Sequence, residues 1–181
     1  MIYVEAPKEY YGVIRSRWPS LFLAGGITGC DDWQKQMVEN LSREEVIIYN
    51  PRRENFPIDD PDAAEVQITW EFDKLAKVDI VSFWFAYGTD NPIVLYELGM
   101  WGNAIPGRPI AIGCDEKYSR KMDVLIQTAL ARPDIFMAGS LYDLSIMVRN
   151  ILRYMNGGRA PSGTGTGTSG MQDKIRKVSE K

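Results

Sequence analysis

The chain of 181 residues contains no histidine and only two cysteines, Cys30 and Cys114. Without histidine there is no Ser-His-Asp triad, no Cys-His pair and no His-ligated zinc. Two cysteines build neither a Cys₄ zinc site nor a disulfide scaffold, and such low usage reads as a reducing compartment. Long apolar runs are missing as well. The longest, Ile80 to Tyr87, is broken by Ser82 and falls far short of the roughly 20 residues of a membrane span. Met1 to Arg17 has no apolar core of signal-peptide type, so the expected location is cytoplasmic. Positive charge is not in excess: the formal net charge is −3. From Asn156 onward the charge sums to +3, which leaves the body at −6. An acidic body argues against a nucleic-acid-binding face, because phosphate binding needs clustered Lys and Arg.

What is present is the composition of one globular domain, with 45% hydrophobic and 25% charged residues, enough to bury a core and to exclude global disorder. Apolar, β-branched or aromatic runs at Ser20 to Ala24, Val46 to Tyr49, Ile80 to Phe85, Pro109 to Gly113 and Asp134 to Ala138 read as strands. Helical patterns separate and follow them at Asp32 to Ser42, Ala63 to Lys77, Pro92 to Ala104, Ser119 to Ala131 and Leu141 to Met155. This alternation predicts a single three-layer α/β domain over 1–156, with a five-stranded, mostly parallel sheet covered on both faces. Ile2 to Glu5 reads as a further short strand whose place the pattern does not fix. Residues 157–181 read as a flexible Gly/Thr/Ser linker and a short basic tail, with Met171 to Lys181 able to form a helix.

Parallel sheets bind ligands beyond the carboxyl ends of their strands, so the loops after Ala24, Tyr49, Phe85 and Gly113 carry the chemistry. The strongest local anomaly is Glu97, the only charged side chain between Asp90 and Arg108. Ile93 and Val94 lie below it at helical spacing, Met100 and Trp101 above. A carboxylate on an apolar stripe is costly unless it is paired or faces a cleft; a Glu at the stripe's edge reaching solvent is the plain alternative. Asp90 or Asn91 can cap this helix, and Pro92 suits its first turn. Glu71 shares a helix face with Gln67 and Lys74. Either it pairs with Lys74 at the surface, or it opposes Glu97 across one crevice, where two carboxylates can divide attack and proton delivery.

After the first predicted strand, Gly25-Gly26-Ile27-Thr28-Gly29-Cys30-Asp31-Asp32 suits backbone N–H groups that approach an oxyanion. A tight turn capped by Asp31 or Asp32 accounts for it equally well. Arg52 and Arg53, after the second strand, are placed to grip a phosphate or carboxylate, or to bridge to the acidic body. The run Asp59-Asp60-Pro61-Asp62 is better explained as helix capping than as a metal site.

Four segments taken together, Leu21-Phe22-Leu23-Ala24-Gly25-Gly26-Ile27, Tyr49-Asn50-Pro51-Arg52-Arg53, Trp70-Glu71 ahead of Asp79-Ile80-Val81, and Tyr96-Glu97-Leu98-Gly99, resemble the nucleoside 2-deoxyribosyltransferase-like family in order from about Ser20 to Pro109. The resemblance implies a flavodoxin-like or Rossmann-like fold and cleavage of the N-glycosidic bond of a nucleoside or nucleotide, without metal or cofactor. It implies that Glu97 is the nucleophile taking the sugar at C1′. Glu71 falls where the family usually has an Asp acting near the leaving base. By the same resemblance Gly25, Gly26, Ile27 and Gly29 cradle the sugar or a 5′-phosphate, and Asp90 or Asn91 belongs to the polar loop before the nucleophile helix. Asn50, Arg52, Gln67 and Trp70 complete the expected substrate-binding set. A homo-oligomer is implied, since a neighbouring subunit usually completes such sites. Burial would raise the pKa of Glu97, so a nearby donor is expected to keep it ionised, with Tyr96 and Tyr10 as candidates. Expected reactions are 2-deoxyribosyl transfer between bases or, alternatively, hydrolysis of a nucleoside 5′-monophosphate; a third reading is a nucleotide-binding module without catalysis.

Overall fold

The computed structural model describes residues 1–12 and 18–157; most of the expected linker and tail lies outside these. Six strands, β1 (Ile2–Glu5), β2 (Ser20–Gly25), β3 (Ile47–Asn50), β4 (Ile80–Phe85), β5 (Ile110–Cys114) and β6 (Met137–Ala138), form one sheet in the order β1-β3-β2-β4-β5-β6. Every pairing is parallel. Five helices accompany them: α1 (Trp33–Asn40), α2 (Ala63–Lys77), α3 (Pro92–Trp101), α4 (Lys121–Ala131) and α5 (Leu141–Met155).

The sheet therefore has six strands rather than five, and it is wholly rather than mostly parallel. The additional strand is β1, which pairs at the edge with β3 in the register Tyr3↔Ile48. An edge strand of four residues is defined by its partner's hydrogen bonds and not by a pattern of its own. At the other edge the expected strand from Asp134 shortens to two residues. There Arg132 holds Asp134, with Nε–Oδ1 at 2.9 Å, and Ile135 N–H donates to the Arg132 carbonyl at 3.0 Å, so the chain turns before it can pair.

Alternation of side chains along the buried strands fills two cores. One face packs Trp70 and Leu75 of α2, Val94 of α3 and Val124 and Leu125 of α4 against Phe22, Phe83, Phe85 and Ile112. The other packs Trp33 and Met37 of α1 and Leu144, Val148 and Leu152 of α5 against Leu21, Leu23, Ile48 and Ile80. β4 is buried along its whole length, as a central parallel strand covered on both faces must be. The chain departs from β2 toward β3 on one side and from β4 toward β5 on the other, so the order reverses between β2 and β4. At such a switch point the loops diverge and leave a crevice at the carboxyl ends of the strands. No helix among the described residues is long and apolar enough to cross a membrane.

Candidate active site

That crevice is a cavity of about 360 Å³. Its walls are Gly25 at the end of β2 and Gly26 to Thr28 after it, Pro51 after β3, Glu71 from α2, Thr89 to Asn91 after β4, and Pro92 to Val94 and Glu97 from α3. Phe22 and Ala24 form its floor.

The loop after β2 is clamped from behind. Trp33 Nε1 donates to the Gly26 carbonyl at 2.9 Å, and Arg52 donates to the carbonyls of Cys30 at 3.3 Å and Asp31 at 3.0 Å. Asp32 caps α1 by accepting from Lys35 N–H at 3.0 Å, as one of the two expected caps. Gly26 is required by proximity: a Cβ there would stand 2.2 Å from Asn91 Oδ1. Gly29 takes a left-handed φ of +79° at the exposed tip of the loop, a conformation glycine adopts without strain.

The loop after β4 brings Asn91 to the N-cap position of α3 with φ +48°. Its side chain makes no cap hydrogen bond, contrary to the capping role expected of Asp90 or Asn91. It is buried, 5% exposed, and neither amide atom meets a hydrogen-bond partner in good geometry among the described residues, with only the Tyr118 hydroxyl near enough to act on it. A strained, unsatisfied polar side chain in a cavity wall is free to bond to a molecule that enters the cavity. Tyr118, after β5, steadies this loop by donating to the Asp90 carbonyl at 3.0 Å.

The two carboxylates meet here from different helices. Burial pushes the Glu97 carboxyl up to about 8, and the nearby charge of Glu71 adds to the rise. The expected offset is not found: among the described residues none donates to Glu97, and Tyr96 is 64% exposed. Glu71 is also raised by burial, against a partial opposing effect from Gln67, whose Nε2 donates to Glu71 Oε1 at 2.6 Å. The alternative pairing of Glu71 with Lys74 is absent. Lys74 instead reaches across to Glu9 at 2.6 Å and to its neighbour Asp73 at 3.2 Å. Proximity of two half-buried carboxylates, one hydrogen-bonded and one bare, separates their affinities for a proton, which is the basis of acid and base assignments in many sites.

The profile of the family described as Nucleoside 2-deoxyribosyltransferase like matches residues 18–118. The chain belongs to this family. The matched span takes in every wall of the cavity, while β6 and α5 lie beyond it. No match emerges among curated protein sequences.

Of the residues expected in the site of this nucleoside 2-deoxyribosyltransferase-like chain, Gly25, Gly26, Ile27, Asp90, Asn91, Glu71 and Glu97 line the cavity. Gly29 sits at the exposed tip of its loop, and Asn50, Arg52, Gln67 and Trp70 stand outside the wall. Asn50 Oδ1 accepts from Arg52 N–H at 3.0 Å and so shapes the turn that presents Pro51. Arg52 serves the Gly25–Asp31 loop, with a further bond to Gln34 Oε1 at 3.2 Å. Trp70 packs between Phe22 and Tyr49 with ring centroids 6.1 Å from each, and its indole N–H donates to the Lys8 carbonyl at 3.0 Å. Thr28, Thr89 and Pro51 are wall residues that sequence reasoning missed, as are the supports Trp33, Gln34 and Tyr118. Their positions beside the glycine loop or just past a strand end are the only signal that pointed to them. A larger cavity of about 590 Å³ opens between α3 and α4, with Leu95, Leu98, Ile110, Ile112 and Val124 in its walls. Arg120 pairs there with Asp123 at 3.4 Å, and no pair of bare titratable groups faces that space.

Proposed function

We propose that this protein cleaves the N-glycosidic bond of an uncharged (deoxy)nucleoside and transfers the 2-deoxyribosyl group to another base, with Glu97 as nucleophile and Glu71 as general acid. The observation that carries the reading is the convergence of these two carboxylates, from α2 and α3, on one cavity at the switch point of the sheet. A carboxylate attacking an anomeric carbon forms a covalent glycosyl intermediate; a second carboxyl group protonates the departing base and then accepts the proton of the incoming nucleophile. The bare Glu97 is the better nucleophile once ionised, because no hydrogen bond occupies its lone pairs. The orphaned amide of Asn91 suits a sugar hydroxyl, which both donates and accepts.

The choice of nucleoside over nucleoside 5′-monophosphate rests on charge. Among the described cavity walls stand Glu71, Asp90 and Glu97 but no Lys or Arg, and the Arg52 guanidinium is committed to backbone carbonyls. A dianionic phosphate in such surroundings is opposed at short range. The test is incubation with a panel of deoxynucleosides and the matching monophosphates, each with and without a second free base. The expected result is a new nucleoside only when the acceptor base is present. Release of base from monophosphates alone overturns the substrate assignment, and release that ignores the acceptor replaces transfer by hydrolysis. An inert panel leaves a binding module.

A further inference from the structure

Gln67 lies behind Glu71 rather than in the cavity wall. It is 8% exposed, and its Nε2 donates both to the Pro51 carbonyl at 2.7 Å and to Glu71 Oε1 at 2.6 Å. Pro51 belongs to the turn that Asn50 and Arg52 brace, so the amide is anchored on backbone that does not swing. Glu71 therefore faces a fixed donor. Glu97 faces none among the described residues. The charged groups that bear on the pair are Glu71 from α2, Glu97 from α3 and Asp90 from the loop between β4 and α3. Lys74, the buried cation of α2, is turned to Glu9 and Asp73.

Two carboxylates in one cavity share a proton, because ionising the second works against the charge of the first. With a fixed donor beside one and none beside the other, the negative charge settles on Glu71 and the proton on Glu97. We infer that Gln67 is a positioning residue that decides which carboxylate of the pair holds the proton, keeping Glu71 the acceptor and Glu97 the acid while the cavity is empty.

This inference rests on the roles proposed above for the two glutamates, and it adds a step to them. The resting pair has its proton on the wrong partner for chemistry. When a nucleoside fills the cavity, the proton relocates from Glu97 to Glu71, with no change in the pair's single negative charge. A Glu97 carboxylate oxygen then bonds to C1′ as the C1′–N bond breaks. The electron pair of that bond stays on the base nitrogen, and the base takes up the proton from Glu71. An empty site thus presents an acid, not an anion, at the attacking position.

The test is a titration of the ligand-free full chain carrying ¹³C-labelled glutamate carboxylates, followed by NMR. In a Glu97→Gln background Glu71 titrates alone. Gln67→Met keeps the length of the side chain and removes the donor. It is expected to raise the Glu71 titration by about one to two pH units, the equivalent of one hydrogen bond to a charged group. With Glu97 intact, the same substitution moves the acidic limb of kcat/KM upward by a similar amount. Should Gln67→Met fail to fold, Gln67→Asn, one methylene shorter and out of reach of Glu71, is read with the same expectation. A Glu71 titration unmoved by these variants overturns the inference, as does a resting protein in which Glu71 rather than Glu97 loses its proton last. The titration needs no substrate, so a shifted titration without turnover supports the role of Gln67 while counting against the proposed reaction.

Discussion

The two ends of the sheet treat their polar groups differently. At the amino ends of the strands, Ser20 N–H and Oγ donate to Asp79 Oδ2 at 2.8 and 2.6 Å. Arg132 bridges Asp134 and the Gly102 carbonyl, and Arg108 holds the carbonyls of Leu75 and Trp101. Only Nε of Arg108 lacks a partner there. At the carboxyl ends, both amide atoms of Asn91 and Oε1 of Gln67 are orphaned. Burying a polar group without a partner costs about 1–3 kcal/mol. Among the described residues the unsatisfied groups gather mainly at the cavity end, with Ser82 Oγ in mid-strand and Arg108 Nε at the amino ends as the exceptions.

The sharpest way to break that contrast is Glu97→Gln, which keeps the shape and removes the nucleophile. Turnover is expected to fall on the order of 10³-fold or more, measured as base exchange on the best nucleoside found, while the circular dichroism of the folded protein is unchanged. Activity within tenfold of the unaltered protein sinks the nucleophile assignment. Glu71→Ala should be next in size and selective. Nucleosides with poor leaving bases slow by about 10²–10⁴-fold and those with good ones hardly at all, since a good leaving group needs little protonation. In the unaltered protein the same split appears against pH. Above about 8, where Glu97 gives up the pair's last proton, kcat/KM falls for poor leaving bases and holds for good ones.

Stability should respond in the opposite sense to activity. The carboxyl of Glu97 lies above its ordinary value in the folded chain, so its contribution is intact below the ordinary glutamate range and is lost as pH rises toward about 8. Glu97→Gln removes that loss. Its Tm is expected to exceed that of the unaltered protein by a few degrees above pH 8, with the gain vanishing near pH 4. The smallest effect belongs to the other end of the sheet. Asp79→Ala should lower Tm by a few degrees through the lost bonds to Ser20, with kcat/KM unchanged within twofold. A large loss of activity from that substitution would erase the distinction between the two ends.

The helices that set the frame were legible in the sequence wherever local pattern and burial agree. α2 and α5 start and end where periodicity puts them, although Asp62 at the N-cap of α2 makes no side-chain capping bond, and the central strands stand within a residue or two of the apolar runs. β1 was visible but not placeable, because its pairing with β3 joins residues some 45 apart in the chain. Glu97 announced itself as a lone charge among apolar neighbours. Glu71 did not, because an adjacent Lys74 offered it a local partner; the true partner of Lys74 is Glu9, 65 residues away. Arg52 shows the same limit. Its position after β3 suggested a ligand, but its direction is set by the carbonyls of Cys30 and Asp31, which only the folded loop supplies.

Arg108 joins the far ends of the two helices that carry the carboxylates, with Nη1 on the Leu75 carbonyl of α2 at 2.5 Å and Nη2 on the Trp101 carbonyl of α3 at 3.1 Å. Phe72 and Trp101 meet edge-on beside it, with ring centroids 5.2 Å apart. The pair is built like tongs riveted at the base. Sliding α2 past α3 would break the rivet, so the backbones that carry Glu71 and Glu97 are coupled at their far ends, and any opening or closing angle there is multiplied along the length of each arm.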